Sequence, residues 1–205
     1  MSDLITACLF DKKAGRIFLI TLICFGLIFP LGCRNSQSIN DKIDYYQQKV
    51  REAPDNPVNF TNLGWIYYTG GYLKEAVDCY EKALYLNKDD TAAVYNLALV
   101  YIKMENLDKA KQELTKVLKM QPDHQLALLK LGEVNLGLKK YEEARQAFKN
   151  FLQRDPTSAN ALKGLGDCYR GLGQIEKARS AYKLALRYVP NFSEAAEALK
   201  TLGDK

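Results

Sequence analysis

The side chains that most often carry chemistry are few in this sequence and far apart. There is one histidine, His124, and five cysteines, Cys8, Cys24, Cys33, Cys79 and Cys168, with no Cys-x-x-Cys pair. Zinc needs clustered ligands, so no metal site is expected. Gly164-Leu165-Gly166 follows no strand and lies within a helical period, so it is neither a phosphate loop nor a dinucleotide turn. Glu142-Glu143 opens a helical stretch, where carboxylates suit the positive end of the helix dipole without a catalytic role. His124 falls in a turn between helical stretches and is expected at the surface. No Ser, Cys and His set can be assembled from spacing. The expectation is a protein that is not an enzyme, with no cofactor and no small-molecule substrate. Cys79 and Cys168 could pair in an oxidising compartment, but each is expected to be a small buried apolar residue.

Cys33 stands apart because of what precedes it. No charge occurs from Ile17 to Cys33, and Lys12, Lys13 and Arg16 come just before that run. A basic region followed by a short apolar core is a secretory-signal pattern. The 17-residue run also sits at the lower limit for a membrane span. Leu31-Gly32-Cys33 resembles a bacterial lipobox, with Pro30 departing from the aliphatic residue usual there. That resemblance implies lipidation of Cys33, cleavage before it, and a polar tether over residues 34–39. An uncleaved signal anchor competes with it, and a buried core helix is the blander alternative. Basic residues flank the run on both sides, so their count does not fix the orientation of an anchor. The nearest flank favours the N-terminus inside and the domain outside. Residues 1–33 are thus expected to be a leader or anchor attached to the membrane of a bacterial cell envelope, with the rest extracytoplasmic.

The bulk numbers exclude other classes. Of 205 residues, 47% are hydrophobic and 26% charged, as in an ordinary folded protein. The net charge of +5 comes without a basic run or stripe. A solvated surface explains it, and no nucleic acid is expected as a partner.

Beyond the leader the chain repeats every 34 residues. Leu63, Leu97, Leu131, Leu165 and Leu199 share one register, and Gly64, Ala98, Gly132 and Gly166 follow them. Tyr67, Tyr101, Asn135 and Tyr169 keep the same step, as do Ala76, Ala110, Ala144 and Ala178. So do Tyr80, Leu114, Phe148 and Tyr182, then Leu84, Leu118, Leu152 and Leu186, and finally Pro122, Pro156 and Pro190. Phe60-x-x-Leu63-Gly64-x-x-Tyr67 followed by Ala76-x-x-x-Tyr80 resembles the tetratricopeptide repeat. Four units fit, 57–90, 91–124, 125–158 and 159–192, or 136 of 205 residues. Asn135 replaces an aromatic residue, and Val117 and Phe151 are bulkier than Ala83 and Ala185, changes expected to alter packing only locally.

The physics of the pattern stands beside the resemblance. Each unit carries two apolar-periodic helical stretches, for example 58–69 and 73–86, joined by Gly70-Gly71 in the first unit and by Gly171–Gly173 in the last, glycines that can end a helix sharply. Gly64 and Ala76 leave room for the two helices to approach, and Tyr80 fills the adjoining space. Proline after the second helix turns the chain into the next unit. One hairpin leaves an apolar face open, so units must stack and their ends must be capped. Residues 40–56 are expected to act as an N-terminal capping half unit, and 193–205 as a C-terminal capping helix. The expected fold is all-α, a solenoid of helix-turn-helix units.

The resemblance further implies a right-handed superhelix whose concave face comes mainly from the first helix of each unit. That face would hold Thr61, Asn62, Trp65, Tyr68 and Thr69, then Tyr95, Asn96, Leu99, Ile102 and Lys103. Leu129, Lys130, Glu133 and Leu136 would follow from the third unit, and Lys163, Asp167 and Arg170 from the fourth. Along this series the N-terminal half is aromatic and apolar and the C-terminal half charged. Exposed contiguous apolar surface marks binding sites, and Trp and Tyr are favoured anchors. Packing of Trp65 and Tyr68 against residues 40–53 or a neighbouring helix is the alternative. Some relatives clamp an acidic chain terminus, but Thr61 and Trp65 do not match the clamp residues of the first unit. The expected partner is a protein or peptide. The role is a scaffold or adaptor, or alternatively a chaperone-like assembly factor holding an apolar segment.

Overall fold

The structure, a computed structural model, describes residues 38–203, and every regular element among them is an α-helix. Helix α1 (Ile39–Glu52) comes first. Pairs follow: α2 (Pro57–Gly70) with α3 (Leu73–Leu86), α4 (Thr91–Lys103) with α5 (Leu107–Met120), α6 (Gln125–Gly137) with α7 (Tyr141–Leu152), and α8 (Ala159–Gly171) with α9 (Ile175–Tyr188). Helix α10 (Ser193–Thr201) closes the series. The apolar run, Cys33 and the start of the tether lie outside the described residues. No described helix is long and apolar enough to cross a membrane.

The first helices of the first three units begin where a polar cap falls in the 34-residue register. Asn56, Asp90 and His124 accept hydrogen bonds through their side chains from the N–H groups of Val58, Ala93 and Ala127. Such caps contribute about 1 kcal/mol each. Within α5, Leu107, Ala110, Leu114, Val117 and Leu118 recur at three- and four-residue steps and form one apolar stripe, as an amphipathic helix requires. The unit stacks because the second helix of each pair packs on both its own partner and the first helix of the next unit. The core therefore runs along the solenoid, from Tyr80 and Val94 through Leu114 and Phe148 to Tyr182 and Ala198. Val117 and Phe151 are buried in it without disturbing the helix order. The array is an all-α tetratricopeptide-type solenoid.

The small residues in each first helix are matched to the side chain they meet. A Cβ added at Gly64 would lie 3.0 Å from the Tyr80 ring, at Gly132 2.7 Å from Phe148, and at Gly166 2.4 Å from Tyr182. In the second unit the pair is Ala98 and Leu114, both fully buried. Glycine stands opposite an aromatic ring and alanine opposite the smaller leucine, so the larger the side chain, the smaller the residue it meets.

The turn inside each unit needs one residue with left-handed backbone, and the register shows which. Gly71 (φ 84°) and Gly173 (φ 72°) fill it in the outer units, but Glu105 (φ 59°) and Lys139 (φ 57°) fill it in the middle two. Left-handed backbone costs an L-residue about 1–2 kcal/mol, partly offset by the chain entropy of about 0.5–1 kcal/mol that glycine loses on folding. Glu105→Gly and Lys139→Gly should each raise the melting temperature by about 1–3 °C. Thermal unfolding followed by circular dichroism checks this, and a drop at both positions would contradict the account.

Candidate functional site

First helices one unit apart also touch one another, α2 with α4 and α6 with α8, so they line the inner face. Helical spacing then selects the residues on that face. Along α2 these are Val58, Asn62 and Trp65; along α4, Ala92, Asn96, Leu99 and Lys103; along α6, Leu126, Lys130 and Glu133. Along α8 they are Lys163, Asp167 and Arg170.

The N-terminal part is an aromatic cluster. Trp65 is 44% exposed, and its ring lies 5.4 Å from that of Tyr68. Lys103 reaches across from α4. Its Nζ sits 4.9 Å above the Tyr68 ring and donates to the Tyr68 carbonyl at 3.3 Å. Tyr68 itself is half-buried against the core. Helix α1 leaves this cluster open, because it docks on α2 elsewhere. Gln47 donates to the Tyr67 hydroxyl at 2.8 Å, and Asn59 donates to the Lys49 carbonyl at 3.0 Å.

His124 corrects the expectation of a surface side chain. It is half-buried, its Nδ1 accepts from the Ala127 N–H at 3.1 Å, and its ring lies 5.1 Å from that of Tyr95. Burial raises the pKa of the Tyr95 hydroxyl, with smaller contributions from Glu133 and Tyr68. Tyr95 therefore remains a neutral phenol between the aromatic cluster and the charged end.

At the charged end the ions are paired among themselves. Lys130 donates to Glu133 at 2.7 Å. The Asp167 side chain, 12% exposed, accepts from Lys163 at 2.8 Å and Arg170 at 3.1 Å. The Tyr182 hydroxyl donates to it at 2.7 Å.

The expected groove residues thus divide by environment. Thr61 bonds the Pro57 carbonyl and Asp90, while Tyr95, Ile102, Leu129 and Leu136 pack on the core. Asn62, Trp65, Asn96, Leu99 and the charged residues lie on the open face. Two apolar residues that sequence reasoning passed over belong with them. Val58 and Leu126, each 56% exposed, precede Trp65 and Glu133 by seven residues, two helical turns. That spacing was the signal for including them.

The floor beneath Trp65 differs from the same place in the fourth unit. Tyr80 and Tyr182 are equivalent and both fully buried. The Tyr182 hydroxyl finds Asp167, whereas the Tyr80 hydroxyl has no hydrogen-bond partner among the described residues. The position that supplies the acceptor in the fourth unit is occupied by Trp65 in the first.

Family models described as tetratricopeptide repeat match residues 95–159 and 135–202, and one described as TPR repeat matches residues 64–105. This chain is a tetratricopeptide-repeat protein. The tetratricopeptide stack is similar to the crystal structure of MamA, with 22% identity over 77% of this chain and 92% of that one and a TM-score of 0.72. It is similar to YrrB, a TPR protein with an unusual peptide-binding site, at 23% identity over 79% of this chain and 84% of that one, with a TM-score of 0.73. A tetratricopeptide repeat protein from Parabacteroides merdae shares 25% identity over 80% of this chain and 65% of its own, at a TM-score of 0.72. No curated protein matches the sequence significantly. The repeat family is built for protein–protein interaction, and the stack is a scaffold of that kind.

Both described cysteines of the tetratricopeptide stack are free and buried. Burial, followed by nearby carboxylates, pushes the Cys79 thiol up to about 12, and burial and Asp167 do the same for Cys168. Since the thiolate is the reactive form, neither should be alkylated at pH 8 in the folded protein, while both react in denaturant. Peptide mass mapping after iodoacetamide treatment checks this, and labelling of the folded chain at either residue would contradict it. Among the described residues no group of three or more His, Cys, Asp or Glu side chains is placed to hold a metal.

Proposed function

We propose that the chain is a non-catalytic adaptor of the bacterial cell envelope that binds a segment of a partner protein in the inner groove, anchored by Trp65. The observation that carries this reading is the Trp65–Tyr80 mismatch. Among the described residues a buried hydroxyl is left without a partner, and a large apolar ring is left half in water, at one and the same position. Both features cost stability, and the fourth unit has neither feature at the equivalent place. A position that departs from the local rule without structural gain is a candidate for function. Trp and Tyr supply large contact area on few rotatable bonds, and Val58, Leu99 and Leu126 extend the apolar surface. A peptide-binding site is known in the similar protein YrrB, which agrees with this use of the fold. Trp65 is the chain's only tryptophan, so its emission reports the groove directly. Addition of a partner segment should shift that emission to the blue, and binding without any such change would place the site elsewhere.

Envelope attachment rests on the leader. Lipidation at Cys33 would put the first described residue, Ser38, within about 20 Å of the membrane surface, at most ~3.6 Å per residue. Intact mass and membrane partitioning of the full chain beside Cys33→Ala test it. A mature species starting at Cys33 and carrying lipid mass that the variant lacks is expected. An unprocessed chain that stays on the membrane in both forms would leave a signal anchor instead. A chaperone-like role in assembly is the second reading, favoured by the row of exposed Val58, Trp65 and Leu126. Release of the bound client by a short competing helical peptide would distinguish it from a permanent scaffold.

A further inference from the structure

We infer that the outer face of the stack lies on an anionic lipid surface, held there by a row of lysine and arginine side chains. The inference is independent of the groove and rests on the envelope-attachment reading alone. Arg51, Lys82, Lys119, Lys149, Lys183 and Arg187 are exposed on the C-terminal halves of α1, α3, α5, α7 and α9. Arg51, Lys119 and Arg187 share the register of Tyr85, and Lys149 and Lys183 share that of Glu81. The six therefore fall on one line along the solenoid. No run in the sequence shows this row, because each helix adds only one or two members.

The row has little negative charge of its own. None of the six makes a salt bridge among the described residues. Glu81 is the one carboxylate at these registers, and Glu113 behind them is buried and already holds Lys116 at 2.7 Å. The helix dipole favours cations at these ends, but it does not require their counter-ions to be missing. On the N-terminal halves of the same helices the signs are mixed, and Lys111 meets Glu143 at 3.1 Å. The turns beyond the row carry exposed Asp55, Asp89 and Asp155, so the positive surface is the outer face and not the edge.

A membrane is the anion within reach. The tether ends at Ser38, where α1 begins, and Arg51 lies about 20 Å further along that helix at 1.5 Å per residue. A stack held through Cys33 can therefore lay its outer face along the bilayer. Basic residues next to a membrane are drawn to anionic headgroups, each adding to the attraction. Tyr85, with Lys82 Nζ 5.0 Å from its ring, is of the residue type enriched at membrane interfaces. The inner groove then faces away from the lipid, open to its partner.

Lysine footprinting of the full-length protein tests this in nanodiscs of phosphatidylcholine or of phosphatidylglycerol. Exposed lysines are acetylated by a water-soluble succinimidyl ester and read by peptide mass mapping. At low ionic strength Lys82, Lys119, Lys149 and Lys183 should react roughly threefold or more slowly on the anionic disc than on the neutral one. Lys130, on the inner face, should react alike on both. The difference should vanish at about 1 M salt, where the screening length falls to about 3 Å. Lys119→Gln combined with Arg187→Gln should return Lys149 and Lys183 toward their rate on the neutral disc, with unfolding curves confirming that the stack is intact. Equal rates on the two discs would overturn the inference and leave membrane attachment standing. A full chain that elutes with neither disc would overturn both. Protection of the four lysines by a DNA duplex and not by the anionic disc would make the row a nucleic-acid surface and overturn a lipid one.

Discussion

Trp65→Asn should leave the solenoid about as stable as the native chain, or more so, while removing most of its partner affinity. The amide oxygen of asparagine can accept from the Tyr80 hydroxyl, as Asp167 accepts from Tyr182. Asparagine is the better choice than aspartate here. The cations that hold Asp167 correspond to Thr61 and Tyr68 in the first unit, so a carboxylate would be half-buried without a counter-ion. Satisfying a buried donor is worth about 1–3 kcal/mol, and losing the Trp65–Tyr68 contact costs about 0.5–1.5 kcal/mol. The balance runs from a loss of about 0.5 kcal/mol to a gain of about 2.5 kcal/mol, or a melting temperature from about 2 °C lower to about 10 °C higher. Loss of a central tryptophan anchor typically costs about 2–4 kcal/mol of binding, a weakening of roughly 30- to 1000-fold. Stability falling by more than 1 kcal/mol with affinity unchanged would make Trp65 a packing residue.

The second large effect concerns the crossing of paired helices. Gly166→Ala places a methyl group 2.4 Å from the Tyr182 ring, closer than any real contact. The ring is fully buried, so it cannot swing into solvent. Overpacking of this kind costs about 1–3 kcal/mol, and the loss should be concentrated in α8, α9 and α10. Combining it with Tyr182→Leu reproduces the Ala98–Leu114 pair of the second unit. The double variant should be more stable than the sum of the single losses predicts, by about 1 kcal/mol or more. Denaturant unfolding of the four proteins gives the coupling directly. Additive losses would mean that the match between small residue and ring is coincidental.

Most of this architecture is legible in the sequence because each unit repeats the same local instructions. The caps at 56 and 90, the small residue at 64, 98, 132 and 166, and the turn position at 71, 105, 139 and 173 each recur at one step. A solenoid needs little else, since every unit meets only its neighbours. The site is less legible because the residues on its face do not repeat. Spacing placed Trp65 and Arg170 on the same side of their helices, but it could not show that Glu133 and Asp167 were already consumed by Lys130, Lys163 and Tyr182. It also hid the role of His124, since a histidine in a turn carries no sign that its Nδ1 caps the next helix. The orphaned Tyr80 hydroxyl emerges only when two equivalent buried rings are compared in three dimensions. Asn135 is buried with its side-chain oxygen unpartnered among the described residues, and nothing in the structure explains that residue type.

The central claim is that the partner lies in the inner groove. A photoreactive phenylalanine analogue placed at Trp65, at Leu99 or at Tyr85 tests it in the living cell. Tyr85 is 75% exposed on the outer side of α3 and serves as the contrast. Crosslinks to a discrete polypeptide from positions 65 and 99, and none from 85, are the predicted result. Crosslinks from 85 alone would contradict the account and move the binding surface to the outer face of the solenoid.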